Sequence, residues 1–274
     1  MKFNNLSVRI AVALIGIPAL IALSITGRLA FLAFILGIGI VALYEFHVMV
    51  KSKGHSANLL LSGLALILLI INAYSEFIGF ETLITIFIPL ILFYELFRNK
   101  NSAIQNIGST LIGIFYIGLF SASLIKIREF YSYSGALYEQ GGFLIISILV
   151  TIWVCDSAAY FFGIAFGKNK LFPRVSPNKS WEGAFAGFAF SILSMIVLRS
   201  FLIDFLQWID VLSLGIIIGS IGQAGDLIES LFKRDAGVKD SSSILPGHGG
   251  VFDRFDSLLY SAPVIYLYLH FFVK

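Results

Sequence analysis

Charge is scarce in this chain, and so is sulfur. Only 13% of its residues are Asp, Glu, Lys or Arg, against about 25% in soluble domains. Together with 58% hydrophobic residues and a mean hydropathy of +0.92, this excludes an ordinary soluble domain and implies an integral membrane protein. A single cysteine, Cys155, excludes an intrachain disulfide and a thiolate metal cluster. Lying inside an apolar run, it reads as packing. The net charge of +3 is too small to argue for nucleic acid as a partner. No internal repeat is evident, which weakens a reading as an inverted-repeat transporter. Lipidation boxes and transit peptides are also lacking. The first apolar stretch contains Pro18 and no clear small-residue cleavage site, so it is expected to be a retained helix rather than a signal peptide.

What the chain has in abundance is long apolar runs. A helix crossing the hydrocarbon core needs about 20 residues, so this length allows about nine spans. In lipid the backbone must satisfy its own hydrogen bonds, and such runs are helices rather than strands. The windows fall at 8–26, 29–49, 57–75, 77–97, 107–127, 143–166, 182–203, 208–232 and 256–273. The expected fold is therefore all-α: a polytopic single transmembrane domain over 1–274, with 1–142 as helical scaffold and 143–274 carrying the catalytic helices and loops. With the N-terminus inside, fourteen of the nineteen Lys and Arg residues fall on inner segments. The positive-inside rule then places the N-terminus, and the polar loops 167–181 and 233–255, in the cytoplasm. Tyr131, Tyr133 and Tyr138 on an outer loop read as an interfacial aromatic belt.

Four polar islands interrupt this pattern. In the run ending near Phe232, Asp226, Glu229, Ser230 and Lys233 are spaced i, i+3, i+4 and i+7 and share one helix face. Asp226 would lie about 10 Å below the helix end. Ionised groups at depth cost several kcal/mol unless they are paired or line a polar cavity, so the stripe reads as a cavity wall or as an interhelical salt-bridge network. The next loop supplies Lys239, Asp240, Pro246, Gly247, His248, Gly249 and Gly250; glycines there suit close approach to phosphate or simply a flexible turn. It runs into Asp253-Arg254-Phe255-Asp256, whose acids fit either a helix-start dipole or a magnesium site, since Mg²⁺ takes one or two carboxylates plus substrate phosphates. Asp156 interrupts the window 143–166, a functional position by default inside a membrane unless it is a buried hydrogen-bonding group. In Ser176-Pro177-Asn178-Lys179-Ser180-Trp181-Glu182-Gly183, Ser180 can cap the following helix. Lys179 beside that N-terminus makes an anion site or a basic loop touching anionic lipid.

Ser230-x-x-Lys233-Arg234-x4-Lys239-Asp240, followed by Leu245-Pro246-x-His248-Gly249-Gly250-x-x-Asp253-Arg254-x-Asp256, resembles the signature of the phosphatidate cytidylyltransferases (CDP-diacylglycerol synthases), with every fixed position filled. Asp156-Ser157-x-Ala159-Tyr160 and the 176–183 segment are similar to two further blocks of that family. Asn178 stands where a basic residue is common, and Ser180 where Thr is common. Motif-level likeness covers 156–257. The resemblance implies transfer of the cytidylyl group of CTP to phosphatidate, giving CDP-diacylglycerol and pyrophosphate, by a polytopic, magnesium-dependent and commonly dimeric enzyme, while compact loops and the lack of a targeting peptide suggest a bacterial inner membrane. By the same likeness Asp226 and Asp253 are metal ligands, with Asp256 and Asp156 supporting, and a second cation such as K⁺ can share the site. Lys233, Arg234, Lys239 and Arg254 neutralise phosphates beside Asp240; His248 makes a phosphate or structural contact rather than acting as a base. Lys179, Ser180, Ser230, Gly249 and Gly250 contact substrate. The rivals are a CDP-archaeol synthase or a polyprenol-type kinase, and, from another class, a cation-coupled transporter using Asp156 and Asp226.

Overall fold

The computed structural model of the chain describes residues 5–131, 137–245, 247 and 249–273; Lys2, Tyr133 and Lys274 lie outside them. Its helices are α1 (Asn5–Thr26), α2 (Arg28–Ser52), α3 (Leu59–Ser75), α4 (Phe80–Arg98), α5 (Ala103–Arg128), α6 (Tyr138–Phe166), α7 (Trp181–Arg199), α8 (Trp208–Ala236) and α9 (Phe252–Phe272). Among the described residues these rods follow the apolar windows in order. Six of them (α2, α4, α5, α6, α7 and α8) are long and apolar enough to cross a membrane. Val12–Thr26 and α3 are shorter apolar helices. At this level the chain is a mostly helical, multi-pass membrane protein.

Three departures from the sequence reading bear on the site. Helices outrun their apolar windows, because the hydrogen-bond ladder continues past the hydrocarbon edge: α8 runs to Ala236 and α9 starts at Phe252. The loop after α6 folds into an antiparallel hairpin of β1 (Lys170–Phe172) and β2 (Ser176–Ser180), pairing Lys170 with Ser180 and Phe172 with Ser176. Finally, α5 and α8 each contain a π-helical segment, Gly113–Leu119 and Ile218–Gly222. Such segments often sit at functional sites, and the apolar pattern carries no sign of them.

Between apolar helices in lipid, association depends on close van der Waals packing, and small residues allow it. The crossing of α6 and α7 follows that rule. A Cβ on Gly187 would lie 3.0 Å from the Cys155 carbonyl and 3.2 Å from its sulfur, so the buried cysteine is a packing residue, as expected. Where α7 crosses α8, a Cβ on Gly215 would lie 2.8 Å from the Ile192 Cα. The interior is centred on α5, where Ile117, Leu124, Ile125 and Ile127 are fully buried. By contrast α4 turns Leu92, Phe93, Leu96 and Phe97 outward.

At one end of the bundle, the buried Arg128 donates to the carbonyls of Ser24 (2.5 Å) and Ile25 (2.8 Å). Its guanidinium lies 4.3 Å from the centroid of the Tyr138 ring, and the Tyr138 hydroxyl donates to Glu129 at 2.9 Å. Tyr138 is thus part of a polar corner rather than a free belt residue. At the opposite end the Ser52 hydroxyl donates to the Ala236 carbonyl at 3.2 Å, tying α2 to the end of α8. Gly215→Val should lower stability by about 1–3 kcal/mol through overpacking against helix backbone, read as a lower thermal midpoint in detergent. An unchanged midpoint would mean that α7 and α8 do not cross this closely.

Candidate functional site

Four stretches of chain far apart in sequence meet around one open cavity of about 840 Å³. The end of α6 contributes Asp156, Tyr160 and Gly163; β2 contributes Asn178, Lys179 and Ser180; α8 contributes Gln223, Asp226 and Lys233; and α9 contributes Asp253, Arg254 and Asp256, with Asp240 from the loop between α8 and α9. The π-helical turn Ile218–Gly222 immediately precedes the polar stripe of α8. The stripe is therefore a cavity wall and, in part, the interhelical ion-pair network that was its alternative.

Two lysines organise the charges. Lys179, at the end of the hairpin, pairs with Asp226 of α8 at 2.5 Å. Lys233 sits between Glu229 at 2.5 Å and Asp253 at 2.9 Å, joining α8 to α9. Glu229 is fully buried, and the Lys233 ammonium is the cation beside it. Asp253 also accepts the backbone N–H groups of Ser241 (3.0 Å) and Gly250 (2.7 Å), so it brackets the start of α9 while its side chain borders the cavity.

Among the described residues, no three His, Cys, Asp or Glu side chains converge as a ready-made metal cage. The donor set suits a cation that completes its shell from substrate. Asp156, Asp226 and Asp256 border the same open space, and magnesium takes one or two carboxylates together with phosphate oxygens and water.

The other expected site residues divide between the edge of the cavity and its surroundings. Ser180 lines the cavity, yet its hydroxyl accepts from the Gly183 N–H at 3.2 Å as the N-cap of α7. Ser230 is buried and donates to Asp226 at 3.4 Å. Arg234 donates to the carbonyls of Val175 (3.2 Å) and Val238 (3.3 Å), linking α8 to the hairpin turn. Lys239 is exposed; it, Gly249 and Gly250 are not part of the lining. His248 and Pro246 lie outside the described residues.

The sequence reading passed over two kinds of contributor. Lys170 and Gln223 reach the cavity from positions that only the hairpin and the π-turn bring round. Glu45 of α2 is buried and takes four hydrogen bonds from the segment 241–252. It carries the signal that singled out Asp156, an acid inside an apolar run.

The profile of the family described as "Cytidylyltransferase family" matches residues 7–272. A Staphylococcus epidermidis protein named phosphatidate cytidylyltransferase is 33% identical over 269 residues, covering 96% of this chain and 99% of its own length. A Bacillus subtilis protein of the same name is 33% identical, covering 96% and 97%. One from Haemophilus influenzae is 39% identical over 213 residues, covering 75% and 69%.

Ser180→Ala should lower stability by about 1 kcal/mol, as loss of an N-cap does, whereas Ser180→Thr should change it little. A thermal melt of the two variants checks this, and equal midpoints for Ala and wild type would remove the capping role.

Proposed function

The chain belongs to the cytidylyltransferase family, and on that premise we propose that it transfers the cytidylyl group of CTP to phosphatidate, giving CDP-diacylglycerol and pyrophosphate. The observation that carries this reading is the meeting of Asp156, Lys179, Asp226, Lys233, Asp253 and Arg254 around one open cavity at the ends of apolar helices. A water-soluble triphosphate and a lipid phosphate can meet there.

In the reaction a phosphatidate oxygen attacks the α-phosphorus of CTP as the bond to pyrophosphate breaks. Both partners are anions, so positioning and charge neutralisation matter more than covalent chemistry. The phosphatidate phosphate is already ionised near neutral pH, and no strong general base is needed. Lys233, held between Glu229 and Asp253, is a fixed positive charge on the cavity wall. Arg254 lies beside it on α9, and Lys170 and Lys179 face it from the hairpin. Lys179 can exchange its pairing with Asp226 for an incoming phosphate, which frees the Asp226 carboxylate. Asp226, with Asp156 and Asp256 beside it, would then hold Mg²⁺, with Asp253 bordering the same space; a second cation such as K⁺ can share it. When bound, the metal supplies charge neutralisation for the attacking and leaving oxygens. Arg234 ties α8 to the hairpin turn, Ser230 supports Asp226 from within α8, and Ser180 caps α7 at the cavity edge.

The bias of Lys and Arg residues toward the loops that carry the cavity supports a cytoplasmic N-terminus and a cytoplasm-facing site in a bacterial inner membrane, with about nine spans if α1, α3 and α9 also cross. The family likeness supports a homodimer, and a single functional unit in which 1–142 scaffolds 143–274. It does not favour the transporter reading.

With CTP labelled on its α-phosphate, phosphatidate and magnesium, the purified protein should move label into lipid with equimolar pyrophosphate, and a chelator should abolish transfer. Asp226→Asn should lower the rate on the order of 100-fold or more. Lys179→Ala should raise the KM for phosphatidate more than it lowers kcat, since its pairing with substrate is a binding contact. Label entering an unsaturated ether lipid but not phosphatidate would replace the substrate. Label in neither would overturn the reading.

A further inference from the structure

Glu45 belongs to an apolar helix, outside every polar motif, yet it makes more hydrogen bonds to the site-bearing loop than any acid of those motifs. Its side chain is 1% exposed. One carboxylate oxygen accepts from the Ser242 hydroxyl (2.5 Å) and the Val251 N–H (3.0 Å). The other accepts from the Ser241 hydroxyl (3.0 Å) and the Phe252 N–H (2.8 Å). Each oxygen thus takes one donor from where the loop leaves α8 and one from where it enters α9. A carboxylate has about four acceptor positions, so none remains for a cation or a phosphate.

We infer that Glu45 is a positioning residue: it closes the neck of the 241–252 loop and thereby sets where Asp253 and Lys233 stand in the cavity. The chain of contacts is short. Asp253 accepts the N–H groups of Ser241 and Gly250, both of which lie at the neck that Glu45 closes. Lys233 in turn bonds Asp253 at 2.9 Å. Farther out, the loop is closed again by the Leu245 N–H on the Gly249 carbonyl at 2.9 Å. Gly250 belongs to the same device. A Cβ there would overlap the Ser241 hydroxyl and lie 2.6 and 2.7 Å from the two Glu45 oxygens, so a side chain at 250 would force both the serine and the carboxylate from their seats. Glutamine at 45 cannot substitute, because its NH₂ group would meet a backbone N–H where an acceptor is needed. Aspartate is one methylene too short.

The kinetic consequence rests on the proposed cytidylyl transfer; the geometric one does not. A competing role is a plain cap of α9, which would need the Val251 and Phe252 bonds but not those from the serines. The test uses the full chain in detergent, comparing wild type, Glu45→Gln and the pair Ser241→Ala/Ser242→Ala. Hydrogen–deuterium exchange across 241–253 is read beside kcat and KM for label transfer. Exchange should rise across the whole segment in both variants. In Glu45→Gln kcat should fall about 10- to 100-fold, the scale expected for misplaced reacting groups, with the KM for phosphatidate changed less than about threefold by the same argument. The serine pair should show a smaller fall of the same kind. Faster exchange confined to Val251 and Phe252 in Glu45→Gln, with the serine pair like wild type, would reduce Glu45 to a helix cap and overturn the inference. If Glu45→Gln does not fold, the serine pair and Gly250→Ala decide by the same readouts. If wild type transfers no label, the proposed function fails, while the exchange data still decide whether Glu45 orders the loop.

Discussion

An ammonium group held between two carboxylates is the interaction on which the rest of the site depends. Lys233 touches Glu229 on its own helix and Asp253 on the next. Near the hydrocarbon edge an unpaired charge of either sign is costly, and removing one partner from a buried group of this kind strands the other. Lys233 therefore requires acids beside it, and its pairing with Asp253 can be met only if α8 and α9 arrive at one place. Once they do, Arg254 and Asp256 follow on α9, Asp226 on α8, and the hairpin is drawn in by the pairing of Lys179 with Asp226. A second acid–base pair thus joins the hairpin to the unit that the first one builds.

The apolar part of the molecule makes this possible by contact rather than by solvent exclusion. Lipid tails compete with Leu and Ile on equal terms, so helices that must approach closely do so at glycine. Gly187 against Cys155 and Gly215 against Ile192 bring α6, α7 and α8 close together along the walls of the cavity. Several serine hydroxyls within the bundle are satisfied locally, as where Ser191 donates to the Gly215 carbonyl at 2.8 Å. Charged side chains gather toward the two ends of the bundle, where helix termini and loops supply partners.

Much of this was legible in the chain. Long apolar runs state that there are helices, and their order follows directly. The acids and bases of the polar islands, spaced by helical periodicity or clustered at a helix start, indicate a shared site, and nine of the expected residues border the one cavity. What could not be read has physical causes. Strand pairing over Lys170–Ser180 depends on a bulged register between short segments too polar to show alternation. The second role of Ser180, as a cap, needs backbone angles at a particular residue. Arg234 resembles a phosphate ligand in composition, but its donors face two carbonyls. Glu45 carried a legible signal, an acid inside an apolar run, but its partners lie about two hundred residues away, where no periodicity connects them.

The π-helical turn at Ile218–Gly222 has an implication for how this sequence can vary. It holds one residue more than an α-helical turn would. The apolar half of α8 before it and the charged half after it therefore break phase in sequence while keeping their faces in space. Losing a single residue there would restore a regular helix and leave the stripe turned to the cavity, because the bulge takes up the change. The same loss between Asp226 and Glu229 would turn Glu229, Ser230 and Lys233 about 100° away from Asp226, although not one of them had been replaced. Residue count is thus free to vary at the bulge and fixed in the charged stripe beyond it.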